Sequence, residues 1–275
     1  MKLQYLGTAA AEAIPSIFCG CEDCQKSRRL GGRNIRTRAQ ALLDDRLMLD
    51  FGPDNIAHLM TYSIDMNDIE AVLITHIHED HFYPEQFEYL RQGFAAVRED
   101  KVFSFYGSED ILAPLAQEVE RAQHHCLKTV ALQPFETMDI AGYRVTPLPA
   151  DHGTPHPYIY LISDGEKTLL YAHDTGLFKP ETAAYLQEKK PRLDLVSMDC
   201  TGAAHEDLGY SSHMCLGRNR QIRQWLMDWG CGHEGTHWVC NHFSHNGAHS
   251  AYVDFEPLAA REGFETSYDG MIITF

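Results

Sequence analysis

The apolar run Ala71-Val72-Leu73-Ile74, followed at once by Thr75-His76-Ile77-His78-Glu79-Asp80-His81, constrains the fold of this chain more than any other stretch. Four apolar residues read as a short buried strand, and the chain must then leave its sheet carrying three imidazoles with an acid at a fixed offset. Side chains alternate along extended backbone, so His76 and His78 fall on one side while Asp80 and His81 bend round toward a second position. That pattern suits two adjacent metal ions. Neutral imidazole binds zinc, manganese or iron, and a carboxylate adds the charge that holds a hard divalent cation. The plain alternative is a solvated histidine-rich loop, but such tracts do not usually place an acid at a fixed offset behind a buried strand. The helical zinc-protease pattern His-Glu-x-x-His fails, because Phe82 stands where its second histidine is needed.

Further strand-like runs lie near Val102–Tyr106, Tyr143–Pro147, Leu195–Asp199, His237–Asn241 and Gly270–Phe275. Helical patterns fill Pro84–Val97, Glu109–Gln123, Pro180–Lys189, Leu216–Trp229 and Ala248–Glu262. Strands interleaved with helices predict a layered α/β architecture with sheets packed in the middle. The chain also echoes itself. Ala41 to Gly52 reads as strand, tight turn and strand ending in Asp50-Phe51-Gly52, and Tyr158 to Gly176 repeats this with Asp164-Gly165 as the turn and Asp174-Thr175-Gly176 at the end. With no low-complexity tract or obvious linker one domain, residues 1–275, is expected, and the echo predicts two related halves, about 1–140 and 141–275, with the metal site in their shared edge.

A formal net charge of −16 at pH 7 argues against a protein whose task is gripping nucleic acid. Basic residues gather only between Lys26 and Arg38, either as a face for a small phosphorylated substrate or as a solvated loop and helix end. Met1 to Gly7 reads as a first strand rather than a secretory signal, and no apolar run is long enough to span a bilayer. A cytoplasmic protein without a membrane partner is therefore expected, and its eight cysteines are expected to be thiols. Cys19, Cys21 and Cys24 are spaced in a glycine-containing loop to share one zinc, with a fourth ligand from elsewhere. Cys126, Cys200, Cys215, Cys231 and Cys240 read as small buried hydrophobes.

Three more segments put His or Asp just past a strand: Asp151-His152-Gly153, Ala172-His173-Asp174 and Asn241-His242-Phe243-Ser244-His245. With the opening motif, their order resembles the metallo-β-lactamase fold superfamily, whose signature is His-x-His-x-Asp-His, a lone His, a bridging Asp and a final His. The matching residues are His76, His78, Asp80, His81, His152, Asp174 and His242, and the likeness runs nearly end to end. It implies a four-layer αββα sandwich. Within the superfamily, Cys19-Gly20-Cys21-Glu22-Asp23-Cys24 and the pair His242 and His245 make the chain most similar to the phosphoribosyl cyclic phosphodiesterase group of bacterial phosphonate breakdown. There the three cysteines and the second histidine hold a structural zinc, which implies that role for His245.

The resemblance further implies two catalytic divalent ions, zinc or manganese: one on His76, His78 and His152, one on Asp80, His81 and His242, with Asp174 between them. A hydroxide bridging the ions would attack a small, perhaps cyclic, phosphodiester, so Asp80 and His213 of Tyr210-Ser211-Ser212-His213 become the candidate catalytic residues, His213 as general acid or phosphate contact. A capping histidine ahead of Leu216 is the alternative for His213, and Asp50 reads as an orienter of a metal-bound imidazole or as a turn cap. A homodimer is compatible with this reading. Two departures, the bulky Phe82 to Phe87 and His173 before the bridging aspartate, predict an altered pocket wall and altered access. The same chemistry would serve carboxylic esters, thioesters or lactones. A transfer-RNA nuclease of the fold would bring a basic arm that is missing here, and a non-hydrolytic accessory protein, like the pyrroloquinoline quinone pathway member, would need fewer ligands.

Overall fold

The computed structural model describes residues 1–91, 93–122 and 126–275, and within them alternation sorts the strand side chains onto two buried faces. Fourteen strands occur among the described residues: β1 (Lys2–Gly7), β2 (Gln40–Leu43), β3 (Leu47–Leu49), β4 (Ala71–Leu73), β5 (Phe103–Gly107), β6 (Leu127–Ala131), β7 (Met138–Ile140), β8 (Tyr143–Pro149), β9 (Tyr158–Ser163), β10 (Thr168–Ala172), β11 (Leu195–Asp199), β12 (His237–Asn241), β13 (Glu265–Thr266) and β14 (Ile272–Thr274). The α-helices are α1 (Glu22–Leu30), α2 (Asn55–Tyr62), α3 (Glu109–Ala122), α4 (Pro180–Lys189), α5 (Leu216–Asp228) and α6 (Tyr252–Arg261). The strands form two sheets, ordered β14-β1-β2-β3-β4-β5-β6 and β13-β12-β11-β10-β9-β8-β7.

Leu3, Tyr5, Leu43, Leu49 and Leu73 of the first sheet meet Tyr143, Tyr160, Leu169, Tyr171 and Val239 of the second in one core. The intervening residues point outward. Leu42, Met48, Val72 and Ile74 pack with Ile111 and Leu115 of α3, while Leu170, Val196, Met198 and Cys240 pack with Leu186, Ile222, Leu226 and Phe255 of α4, α5 and α6. Helices, sheet, sheet, helices is the αββα sandwich. No helix among the described residues is long and apolar enough to cross a membrane.

Strand pairing repeats between the sheets. From β1 to β6 the pairs run antiparallel, antiparallel, then parallel three times, and the series from β8 to β13 is the same. Each series gains one antiparallel outer strand, but β7 joins β8 from its own neighbourhood whereas β14 returns from the far end of the chain to β1. A division at residue 140 therefore leaves β7 with the first half, although it belongs to the second sheet, and the two halves interlock through β14.

Two elements differ from the sequence reading. Pro84–Leu90 is a 3-10 helix, not the start of an α-helix to Val97, and Gly93 at φ +95 turns the chain away from it; Gln92 lies outside the described residues. The helix begun at Glu109 is described to Ala122, so Gln123 likewise lies outside. Cys21 caps α1, its Sγ accepting from Cys24 N–H at 3.4 Å, which puts Cys24 on a helical turn rather than in a loop. Cys200, Cys215, Cys231 and Cys240 are buried, but Cys126 is only half-buried.

Candidate metal centre

Two hydrogen bonds from the second sheet fix the chain beyond β4: Tyr160 Oη–H donates to Ile74 O at 2.6 Å and Tyr158 N–H to Thr75 O at 2.9 Å. The backbone then turns, with His78 O accepting from His81 N–H and Phe82 N–H. Asp50, left-handed at φ +71 after β3, holds both ends of this turn. Its Oδ1 accepts from the N–H and hydroxyl of Thr75 at 2.8 and 2.9 Å, and its Oδ2 lies 2.8 Å from His81 Nδ1. Gly52 has no room for a side chain, since a Cβ there would stand 2.1 Å from Asp80 O. The second hairpin does the same with Asp174 at φ +47 and Gly176, whose Cβ would stand 1.6 Å from Ser211 O. The repeated Asp-x-Gly is a packing requirement on both sides of the site.

His76, His78 and His152 bring one ring nitrogen each within 4.8 Å of the others, and Asp80, His81, Asp174 and His242 form a second such group. His78 Nδ1 is 3.0 Å from both His76 Nε2 and His152 Nε2, and His81 Nε2 is 3.3 Å from His242 Nε2. Asp174 stands between the groups. Its Oδ2 is 2.6 Å from His81 Nε2 and 2.9 Å from His242 Nε2, and its Oδ1 is 3.7 Å from His152 Nε2.

The outer partners decide which nitrogen carries each proton. A carbonyl only accepts, so Ser212 O at 3.2 Å keeps the proton on His152 Nδ1. Asp50 does this for His81, and Thr201 Oγ1 at 3.0 Å, backed by Asp199 Oδ2 at 3.5 Å, for His242. Thr75, whose hydroxyl hydrogen goes to Asp50, accepts from His76 Nδ1 at 3.0 Å. Four Nε2 lone pairs thus converge, with Asp174 Oδ2 buried among them and, among the described residues, lacking a hydrogen-bond partner. Such a set fits divalent cations. Without metal the His81 and His242 imidazoles, despite burial, are raised well above the usual value, Asp174 being the largest carboxylate influence on each, while burial and the His81 charge hold His76 well below it. Positive charge is favoured at the centre, as a proton or as a metal that displaces it.

His213 borders this centre with its ring nearly parallel to His242 and its Nδ1 2.8 Å from Asp199 Oδ2. Asp199 is fully buried and also accepts from Thr201 N–H and Met214 N–H at 2.9 Å each. Neither Asp199 nor Thr201 stands out in the sequence, although Asp199 ends β11 and a third strand-end aspartate was there to be noticed. Elsewhere Cys19, Cys21, Cys24 and His245 converge, His245 Nδ1 lying 3.4 Å from Cys19 Sγ and 3.7 Å from Cys21 Sγ. The Cys21 N–H, donating to Cys19 Sγ, lowers that thiol below its ordinary value.

A cavity of about 430 Å³ opens on His78, Asp80, His152, Asp174, His213 and His242, with Ala10, Ala11, Glu12, Tyr210 and Ser244 completing much of its wall. None of the basic residues from Lys26 to Arg38 lines it. Nor does any residue of Phe82 to Phe87: Phe82 and Phe87 are buried in the outer core of the first sheet, Phe87 stacked on Phe51 at 5.4 Å, and Gln86 and Phe87 line a separate apolar cavity. His173 does not alter access either. The alternation of β10 carries it to the inter-sheet side with Leu169 and Tyr171, where its Nε2 meets Ser197 Oγ at 2.7 Å.

A family model described as a beta-lactamase superfamily domain matches residues 45–238. Over 188 residues the chain is 28% identical to the transcription termination factor FttA of Methanothermobacter thermautotrophicus, a match covering 62% of this chain and 29% of that protein, so the chain spans under a third of that relative's length. Among solved structures, a diphosphatase from the PhnP family superposes with a TM-score of 0.75 at 19% identity, covering all of this chain and 96% of the other. Zinc-bound PqqB from Methylobacterium extorquens superposes with a TM-score of 0.77 at 18% identity, covering both chains in full.

Proposed function

The chain belongs to the β-lactamase superfamily, and from that footing we propose that it is a dinuclear metal-dependent hydrolase of a small phosphodiester, cyclic ones included. Asp174 carries this reading, because its two carboxylate oxygens face different histidine groups, as a bridge between two ions requires. His76, His78 and His152 would hold one ion and Asp80, His81 and His242 the other. Two divalent cations so held, zinc or manganese, would withdraw charge from the phosphoryl oxygens and supply an activated water near neutral pH. Asp50, Thr75, Thr201 and Ser212 O fix the tautomers that aim the lone pairs inward. His213, its Nδ1–H committed to Asp199, offers Nε2 to the cavity and protonates the leaving alkoxide. Cys19, Cys21, Cys24 and His245 would hold a structural zinc that anchors the segment carrying His242.

Small size is supported by the cavity itself, since among the described residues neither lysine nor arginine lines it and a nucleic-acid grip needs clustered cations. Protein loaded with manganese or zinc is expected to cleave bis(p-nitrophenyl) phosphate, and Asp174→Ala to abolish this. Full turnover by that variant, assayed free of contaminating phosphodiesterase, overturns the reading.

A further inference from the structure

Glu12 lies where the two candidate metal sites meet. It lines the cavity that opens on His78, Asp80 and His242. Its Oε1 accepts from the Ser244 hydroxyl and stands 3.8 Å from His245 Nε2, on the opposite edge of the ring from the nitrogen that faces Cys19 and Cys21. A side chain held from the cysteine side through one oxygen has a fixed place in the wall, and among the described residues its Oε2 makes no hydrogen bond. Among the described residues no lysine or arginine lines the cavity to offset this carboxylate.

We propose that Glu12 is a specificity-determining residue: its fixed negative charge makes the cavity accept a phosphoryl group bearing one negative charge and reject one bearing two. This rests on the phosphodiester reading above. The phosphoryl group of a diester carries a single negative charge, whereas that of a monoester is close to a dianion above neutral pH, its second ionisation lying near pH 6. Cations at the centre attract both, so discrimination has to come from the wall, and a carboxylate repels the extra charge across the cavity. Ser244 and His245 give this carboxylate its position, so the cysteine cluster acts on substrate choice through Glu12 without touching substrate.

Binding to manganese-loaded protein, measured by calorimetry at pH 8 with dimethyl phosphate and phenyl phosphate, tests the proposal without requiring turnover. Glu12→Gln keeps an acceptor for Ser244 and removes the charge; it should tighten both anions, and phenyl phosphate roughly ten-fold more than dimethyl phosphate, the worth of the one additional unit charge across several ångströms of wet cavity. Ala11→Lys, which adds an opposing charge on the same wall and leaves the Glu12 hydrogen bonds alone, should shift the two ligands in the same sense. Zinc content of the cysteine cluster, measured alongside, checks that the scaffold is intact. If both variants leave the ratio of the two affinities at the wild-type value, the proposal is wrong. Wild-type protein that fails to hydrolyse any phosphodiester removes the functional reading, while the affinity ratio still reports on Glu12.

Discussion

At the scale of single residues, the Nδ1–H of His213 is committed to Asp199, which leaves Nε2 as the nitrogen it can offer a substrate. A proton donor matters in proportion to how badly the leaving group needs the proton. His213→Ala should therefore cost about 10²–10⁴-fold on a phosphodiester with an alkyl leaving group, and far less on bis(p-nitrophenyl) phosphate, whose leaving phenolate departs unprotonated. Equal losses on both substrates would assign His213 to phosphate binding instead. The sequence made the seven His and Asp positions of the centre visible because each sits just past an apolar run. Asp199 was hidden by its own ordinariness, a strand-end aspartate whose partner lies fourteen residues on with no spacing rule joining them. Glu12 was hidden further, since a carboxylate in a loop acquires a role only when Ser244 and His245 are brought to it from the other end of the chain.

At the scale of elements, the two hairpins position the centre from behind, through glycines pressed on neighbouring backbone. Gly176→Ala would drive a Cβ into Ser211 O, and relief requires the loop carrying Ser212 and His213 to shift. Overpacking of this kind costs about 1–3 kcal/mol, so a lowered thermal midpoint together with weakened hydrolysis is expected. Gly209→Ala in the same loop meets open space and should stay within about 0.5 kcal/mol of wild type; similar behaviour of the two variants would contradict the packing argument. The hairpins were legible because apolar stretches bounded by Asp-Gly or Asp-x-Gly have few other uses. Pro84–Leu90 was not, because over seven residues a period of 3.0 cannot be told from one of 3.6. The side that His173 faces follows from the alternation counted on from Tyr171, and its adjacency to Asp174 carries no information about access.

At the scale of the whole molecule, His76, His78, Asp80 and His81 follow a strand of one sheet, while His152, Asp174 and His242 follow strands of the other. Ions at the centre would therefore cross-link the two sheets. A ligand present at a hundred times its dissociation constant stabilises by about 2.7 kcal/mol, so exhaustive chelation should lower the thermal midpoint by roughly 5–10 °C in a chain of this size. Identical melting with and without metal would show that the sheets do not depend on the centre for their union. Asp50, Asp174 and His242 all sit in left-handed conformations, a region that glycine enters freely and that aspartate, asparagine and histidine enter more readily than other side chains. Glycine would suit the backbone at each, while removing an inward-facing donor at Asp174 and His242 and, at Asp50, the acceptor of Thr75 and His81. Descendants that keep the sandwich and lose the chemistry thus lie one substitution away.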